Sequence, residues 1–169
     1  MALLPIIVAP DPRLKVKCED VEEVTDDLRR LIDDMLETMY DAPGIGLAAP
    51  QVGVTKRIIV VDVSKSENDK HSYKMINPEI IWTSDQFVDY EEGCLSLPEQ
   101  YAQVKRPEEI HLSYVDPEGT VQNLKTSGIL ATCIQHEIDH LDGKLFVDHV
   151  SKLRRDFIIR KLKKYKAAL

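Results

Sequence analysis

The 169-residue chain is poor in cysteine, and the three it has, Cys18, Cys94 and Cys133, are an odd number spread far apart. That argues against a disulfide scaffold and for a reducing compartment, here the cytoplasm. No apolar run approaches the ~18 residues of a membrane span. The opening Met-Ala-Leu-Leu-Pro-Ile-Ile-Val-Ala-Pro lacks the basic region and full-length apolar stretch of a signal peptide. Positive charge is not in excess either. A net charge of −7 argues against a broad nucleic-acid-binding surface, so neither membrane nor DNA is expected as a partner. Repeats, low-complexity tracts and linkers are also missing. With 43% hydrophobic and 30% charged residues, the chain reads as one globular domain over residues 1–169.

What is present begins with helical periodicity. Apolar residues recur at Leu28, Leu31, Ile32, Met35, Leu36 and Met39, which predicts a helix from Thr25 to about Tyr40. Thr25 is its expected cap, with Asp26 and Asp27 at the positive end of the helix dipole. Ala42 to Gly53 reads as a Gly/Pro-punctuated loop, and the β-branched Arg57–Val63 segment as a strand. Shorter strands are expected near Tyr73–Ile76, Ile80–Trp82 and Phe87–Tyr90. Asp116-Pro-Glu-Gly119 predicts a hairpin between Glu109–Val115 and Thr120–Leu124. Helices follow at about Ser127–Leu141 and Ser151–Lys166. The order predicts an α+β fold of mixed, largely antiparallel sheets rather than alternating βα units.

The penultimate helix carries His136-Glu137-Ile138-Asp139-His140. Positions i and i+4 share a helical face, so both imidazoles can address one divalent ion, with Glu137 beside it as a base. A third ligand is needed. The spacing that would extend this motif to a third histidine meets Phe146, which cannot bind an ion, and His149 is out of step. Only Asp148 and Asp156 follow Gly143 as acids, so the third ligand is sought upstream. Cys94, in Glu91-Glu-Gly-Cys-Leu-Ser-Leu-Pro98, is the best candidate, because Gly93 permits close backbone approach and a thiolate is a strong zinc or iron ligand. Cys133 lies on the motif helix and is the other cysteine that helical position places nearby.

Three segments, Gly44-Ile-Gly-Leu-Ala-Ala-Pro-Gln51, Glu92-Gly-Cys-Leu-Ser96 and His136-Glu-Ile-Asp-His140, resemble in order the signature motifs of the peptide deformylase family. The resemblance extends over nearly the whole chain. It implies an α+β fold with the metal motif on a central helix, and hydrolysis of the formyl group from the formylmethionine of new polypeptides. It implies Cys94, His136 and His140 as metal ligands and Glu137 as general acid/base. The Gln51 side-chain amide and the Leu95 backbone N–H are implied donors to the oxygen that becomes negative. The implied ion is iron(II), with nickel, cobalt or zinc as substitutes.

Gly44 and Gly46 are followed by no Lys-Ser/Thr, so a phosphate loop is unsupported. Their small size instead suits pairing of the Ile45 and Gly46 backbone with an extended peptide. Ile129, Cys133 and His136 recur at helical spacing and form an expected methionine pocket, completed by Ile45 and Gly93. Thr132 borders that face, and Tyr101 stands where some relatives carry arginine. The segment Lys152–Lys166 holds eight basic residues against Asp156. A solvated basic face is the ordinary reading of such a helix, whereas the resemblance implies docking on the ribosome.

Overall fold

The computed structural model describes residues 2–169. Helix α1 (Asp26–Asp41) starts as predicted, with the Thr25 hydroxyl accepting from the Leu28 N–H. Strands β1 (Gly46–Ala48), β2 (Ile58–Val61), β3 (Tyr73–Thr83), β6 (Glu109–Val115) and β7 (Val121–Ser127) form an antiparallel sheet in the order β1-β2-β3-β6-β7. A separate antiparallel pair consists of β4 (Phe87–Cys94) and β5 (Leu97–Pro107). Helices α2 (Gly128–Leu141) and α3 (Lys152–Ala167) close the chain.

Strand β2 shows why the large sheet sits centrally. Its four residues, Ile58-Ile-Val-Val61, are all buried, as a strand covered on both faces requires. Ile59 and Val61 pack with Ala131, Ile134 and Ile138 of α2. Ile58 and Val60 point the other way and pack with Ile32, Met35 and Met39 of α1. Helix α2 is therefore covered on most of its circumference, and ten of its fourteen residues are buried. A further cluster joins Leu97 and Val104 of β5 to Phe146 and to Ile158 and Leu162 of α3. Phe146, the residue that broke the three-histidine pattern, is a core side chain stacked against His136 with ring centroids 6.2 Å apart.

The fold differs from the sequence reading in four places. The expected strands at Tyr73–Ile76 and Ile80–Trp82 are one strand, interrupted by register shifts on either side of Glu79. Asn77 occupies left-handed backbone there (φ 51°), and its amide is bonded both ways to the Val21 backbone. The Ala42–Gly53 loop contributes β1. Strand β5 went unpredicted, because two prolines and a run of polar residues hide a sequence that alternates about a buried Val104 and Arg106. Its partner β4 runs four residues further than expected, to Cys94.

Candidate metal centre

The end of β4 brings Cys94 against the face of α2 that carries the two histidines. The Cys94 Sγ lies 3.3 Å from His140 Nε2. One donor atom from each of Cys94, His136 and His140 falls within 4.8 Å of the others, so the three form a group that could hold an ion. Cys133 is not in that group. Burial holds its thiol well above its ordinary pKa, with the Glu137 charge adding to the effect, and its Sγ donates to the Ile45 carbonyl at 3.5 Å. It ties α2 to the loop before β1.

The donor set fits a divalent cation. His136 Nδ1 is hydrogen-bonded to Glu92 Oε1 at 2.9 Å, which leaves Nε2 as the ring nitrogen that can address an ion. Burial alone would lower the His136 pKa, but Glu137, Cys94 and Glu92 together raise it well above the usual value. That point in the site favours positive charge. For His140, burial and the neighbouring His136 lower the pKa well below normal, which keeps the ring neutral as a ligand must be.

Glu137 is 4% exposed, and its Oε1 has no hydrogen-bond partner among the described residues. Burial, opposed by His136 and reinforced by Glu92, pushes its carboxyl up to about 7. A group that both takes and returns a proton near neutral pH works best at such a value. Gln51 sits behind the cysteine, 1% exposed. Its Oε1 accepts from the Ala48 N–H, and its Nε2 approaches Ser96 Oγ at 3.0 Å and Cys94 Sγ at 3.5 Å.

A pocket of about 560 Å³ opens in front of these groups. Of the residues singled out in the sequence, Gln51 and His140 lie behind its wall and the others line it. Ile45 and Ile129 are half-exposed at its edge, whereas Cys133 and Thr132 are buried in its wall. Gly46 is needed for close approach: a Cβ there would overlap Glu137 Oε2 and lie 2.9 Å from Cys133 Sγ. Gly46→Ala is therefore expected to displace the carboxylate and lower kcat/KM by about 10²-fold, with the far-ultraviolet circular dichroism unchanged.

The sequence reading missed what supports His136. Glu92 accepts from Arg106 Nε at 2.7 Å and Nη2 at 3.0 Å. Arg106 Nη1 then reaches Asp139 at 2.9 Å, and Asp139 is bonded to His149 at 2.7 Å. Glu92 lay inside a quoted motif, so its position was a usable signal. Arg106 and His149 had none, as their partners are 14 and 10 residues away on other elements.

A helix-borne pair of histidines, a buried glutamate between them and a cysteine from an adjoining strand pair define a metal-dependent hydrolase. Comparison with known proteins gives the family. A profile described as polypeptide deformylase matches residues 3–156. The peptide deformylase of Rhizobium meliloti (strain 1021) is 54% identical over 164 residues, which cover 97% of this chain and 94% of that protein. The crystal structure of peptide deformylase from Ehrlichia chaffeensis in complex with actinonin superposes with a TM-score of 0.93 at 44% identity, covering 98% of each chain. The Thermotoga maritima peptide deformylase gives 0.83 at 37% identity, over 88% of this chain and 98% of that one. This chain belongs to the polypeptide deformylase family, metal-dependent hydrolases that remove the formyl group from the N-terminus of new polypeptides.

Proposed function

We propose that residues 1–169 act as one catalytic domain that releases formate from the formylmethionine of nascent polypeptides, with Cys94, His136 and His140 holding iron(II). The observation that carries this reading is the buried Glu137, with one carboxylate oxygen unpartnered, set between the three ligand side chains and an open pocket. A divalent ion bound there supplies Lewis acidity, which lowers the pKa of a water and polarises a carbonyl oxygen. Glu137 accepts the water proton and delivers it to the departing peptide amine, which its raised pKa suits. The Gln51 amide and the Leu95 N–H donate to the formyl oxygen as it becomes negative, an arrangement that stabilises the transition state more than the ground state. Ser96 and the Ala48 N–H hold the Gln51 side chain in place for this.

The Ile45 and Gly46 backbone pairs with the peptide in extended form, independently of its sequence. The methionine side chain enters between Ile129, Cys133, Gly93 and Ile45. The deciding experiment measures formate from a formyl-Met peptide, using protein prepared without oxygen and analysed for iron, zinc, nickel and cobalt. Release that tracks iron content supports the reading. A fully iron-loaded protein that releases no formate would overturn it.

No helix among the described residues is long and apolar enough to cross a membrane, and we read the cytoplasm as the site of action. Ribosome docking through α3 completes the proposal. Ile158 and Leu162 of that helix are fully buried, and Lys166 Nζ donates to the Val8 and Pro10 carbonyls. Truncating α3 would therefore damage the core, and charge reversal is the cleaner probe. Arg160→Glu, Lys163→Glu and Lys164→Glu together are expected to abolish salt-sensitive cosedimentation with ribosomes at unchanged peptide turnover. Undiminished cosedimentation of that variant would refute docking through this face.

A further inference from the structure

One buried carboxylate lies outside the metal centre. Asp62 directly follows β2 and is 3% exposed, yet it forms no ion pair among the described residues. Neutral donors hold its two oxygens instead. Oδ1 accepts from the Ser64 N–H at 2.9 Å, and Oδ2 accepts from the hydroxyl of Tyr40, near the end of α1. Burial and the Asp62 contact push the Tyr40 phenol up to about 12, so it remains a donor at neutral pH. Hydrogen bonds to a charged group are among the stronger ones, and a buried carboxylate oxygen left without its donor is costly.

The position of this pair connects it to the pocket. Residues 42–45 line the cavity, and Gly46 continues that wall as the first residue of β1. At one end the wall is fastened to α1, where the Ala42 and Gly44 N–H groups donate to the Thr38 and Met39 carbonyls. At the other end the Asp62 N–H donates to the Ile45 carbonyl at 2.9 Å, just beyond the Gly46–Val61 pair that ends the β1–β2 ladder. Strand β1 is three residues long and lies at the edge of its sheet, with β2 on one side alone. A short edge strand frays readily unless its terminal bond is fixed. The Tyr40 hydroxyl fixes it through Asp62, and so ties the two anchors of the wall directly to each other.

We propose that Tyr40 and Asp62 are positioning residues for the substrate, their bond holding residues 42–46 as a preformed edge that receives the extended formyl peptide. Neither side chain lines the cavity, so the effect passes through the backbone of the wall. A preformed edge spares the complex the cost of ordering it. Bound substrate and transition state benefit alike, which places the effect in KM rather than kcat. The inference rests on the peptide-groove reading given above.

The test compares Tyr40→Phe with the native protein on formyl-Met-Ala-Ser amide and on formyl-Met amide, with formate as the readout. KM for the longer peptide should rise by about tenfold, with kcat within about twofold of native. The shorter substrate lays less backbone along the edge, and its KM should rise by about threefold or less. A general loosening of the fold would instead move both substrates equally. Asp62→Asn separates the bond from the charge, since its amide can accept from the Ser64 N–H and donate to the Tyr40 oxygen. Its KM for the longer peptide should stay within about threefold of native. An unchanged KM in Tyr40→Phe, an equal rise for both substrates, or a rise in Asp62→Asn as large as in Tyr40→Phe would overturn the proposal. Formate release by the native protein keeps the two readings apart. Native turnover with Tyr40→Phe unaffected sinks only the positioning role, whereas no native turnover of either substrate overturns the deformylase assignment with it.

Discussion

Glu137→Gln is expected to lower kcat/KM for formate release by about 10²–10⁴-fold, the range one positioned proton-transfer group contributes. The amide has nearly the shape of the carboxylate but cannot take a proton. Because Cys94, His136 and His140 remain, metal content should be unchanged, and that pairing separates lost proton transfer from a lost site. The expectation rests on the position of Glu137 as well as its identity. The side chain is buried, one oxygen lacks a partner, and burial pushes its carboxyl up to about 7. Metal analysis beside a steady-state formate assay checks both halves. Near-native activity in the variant would assign the proton transfers to another group.

The second large effect is expected at a residue that does not line the cavity. Arg106 and Glu92 are each 5% exposed at the side chain, and they are joined by two hydrogen bonds. Arg106→Ala leaves two carboxylates, Glu92 and Asp139, without their shared cation in a poorly solvated place. Breaking a buried pair from one side costs about 3–5 kcal/mol, readable as a lowered midpoint in urea. The loss should propagate to the site. Glu92 orients His136 through Nδ1, and disturbing such a support weakens metal binding by about 10–100-fold. Chelator competition measures that independently of turnover.

The same network sets an acid limit. Burial would raise the Glu92 carboxyl, but bonds from His136 and Arg106 hold it below its ordinary value of 4.5. Asp139 is likewise held below 3.8, through His149 and Arg106 against the effect of burial. Carboxyls with depressed pKa stabilise the fold fully above their unfolded values. That contribution is lost as the pH falls through the folded ones. Stability should therefore drop below about pH 4.5 in the native protein, and less steeply in Arg106→Ala, where the shifts are relaxed.

Much of this molecule was legible because the relevant spacing lies within one element. His136 and His140 share a face by helical geometry alone, and the Thr25 cap and the doubly buried Ile58–Val61 strand are local statements as well. Strand β5 was not legible, since its pattern alternates around an arginine that is buried only because Glu92 and Asp139 are there to receive it. Phe146 has no atom that can bind an ion, and its place in the core beside His136 comes from packing with β5 and α3.

The sequence by itself determined the motif helix, the need for an upstream ligand and, through three ordered motifs, the family. The sequence already favoured Cys94 over Cys133, and the tertiary structure shows how it comes to face the histidines. Cys94 and His140 are 46 residues apart, and a turn between β4 and β5 places their donor atoms 3.3 Å from each other. It also decided that Cys133, nearer in sequence, is a buried thiol bonded to the Ile45 carbonyl. The support of His136 by Glu92 and Arg106 was likewise set at that level. The physical reason is the same in each case. Periodicity reports which residues share a face of one element, but charge neutralisation and close approach depend on which elements the packed core brings together.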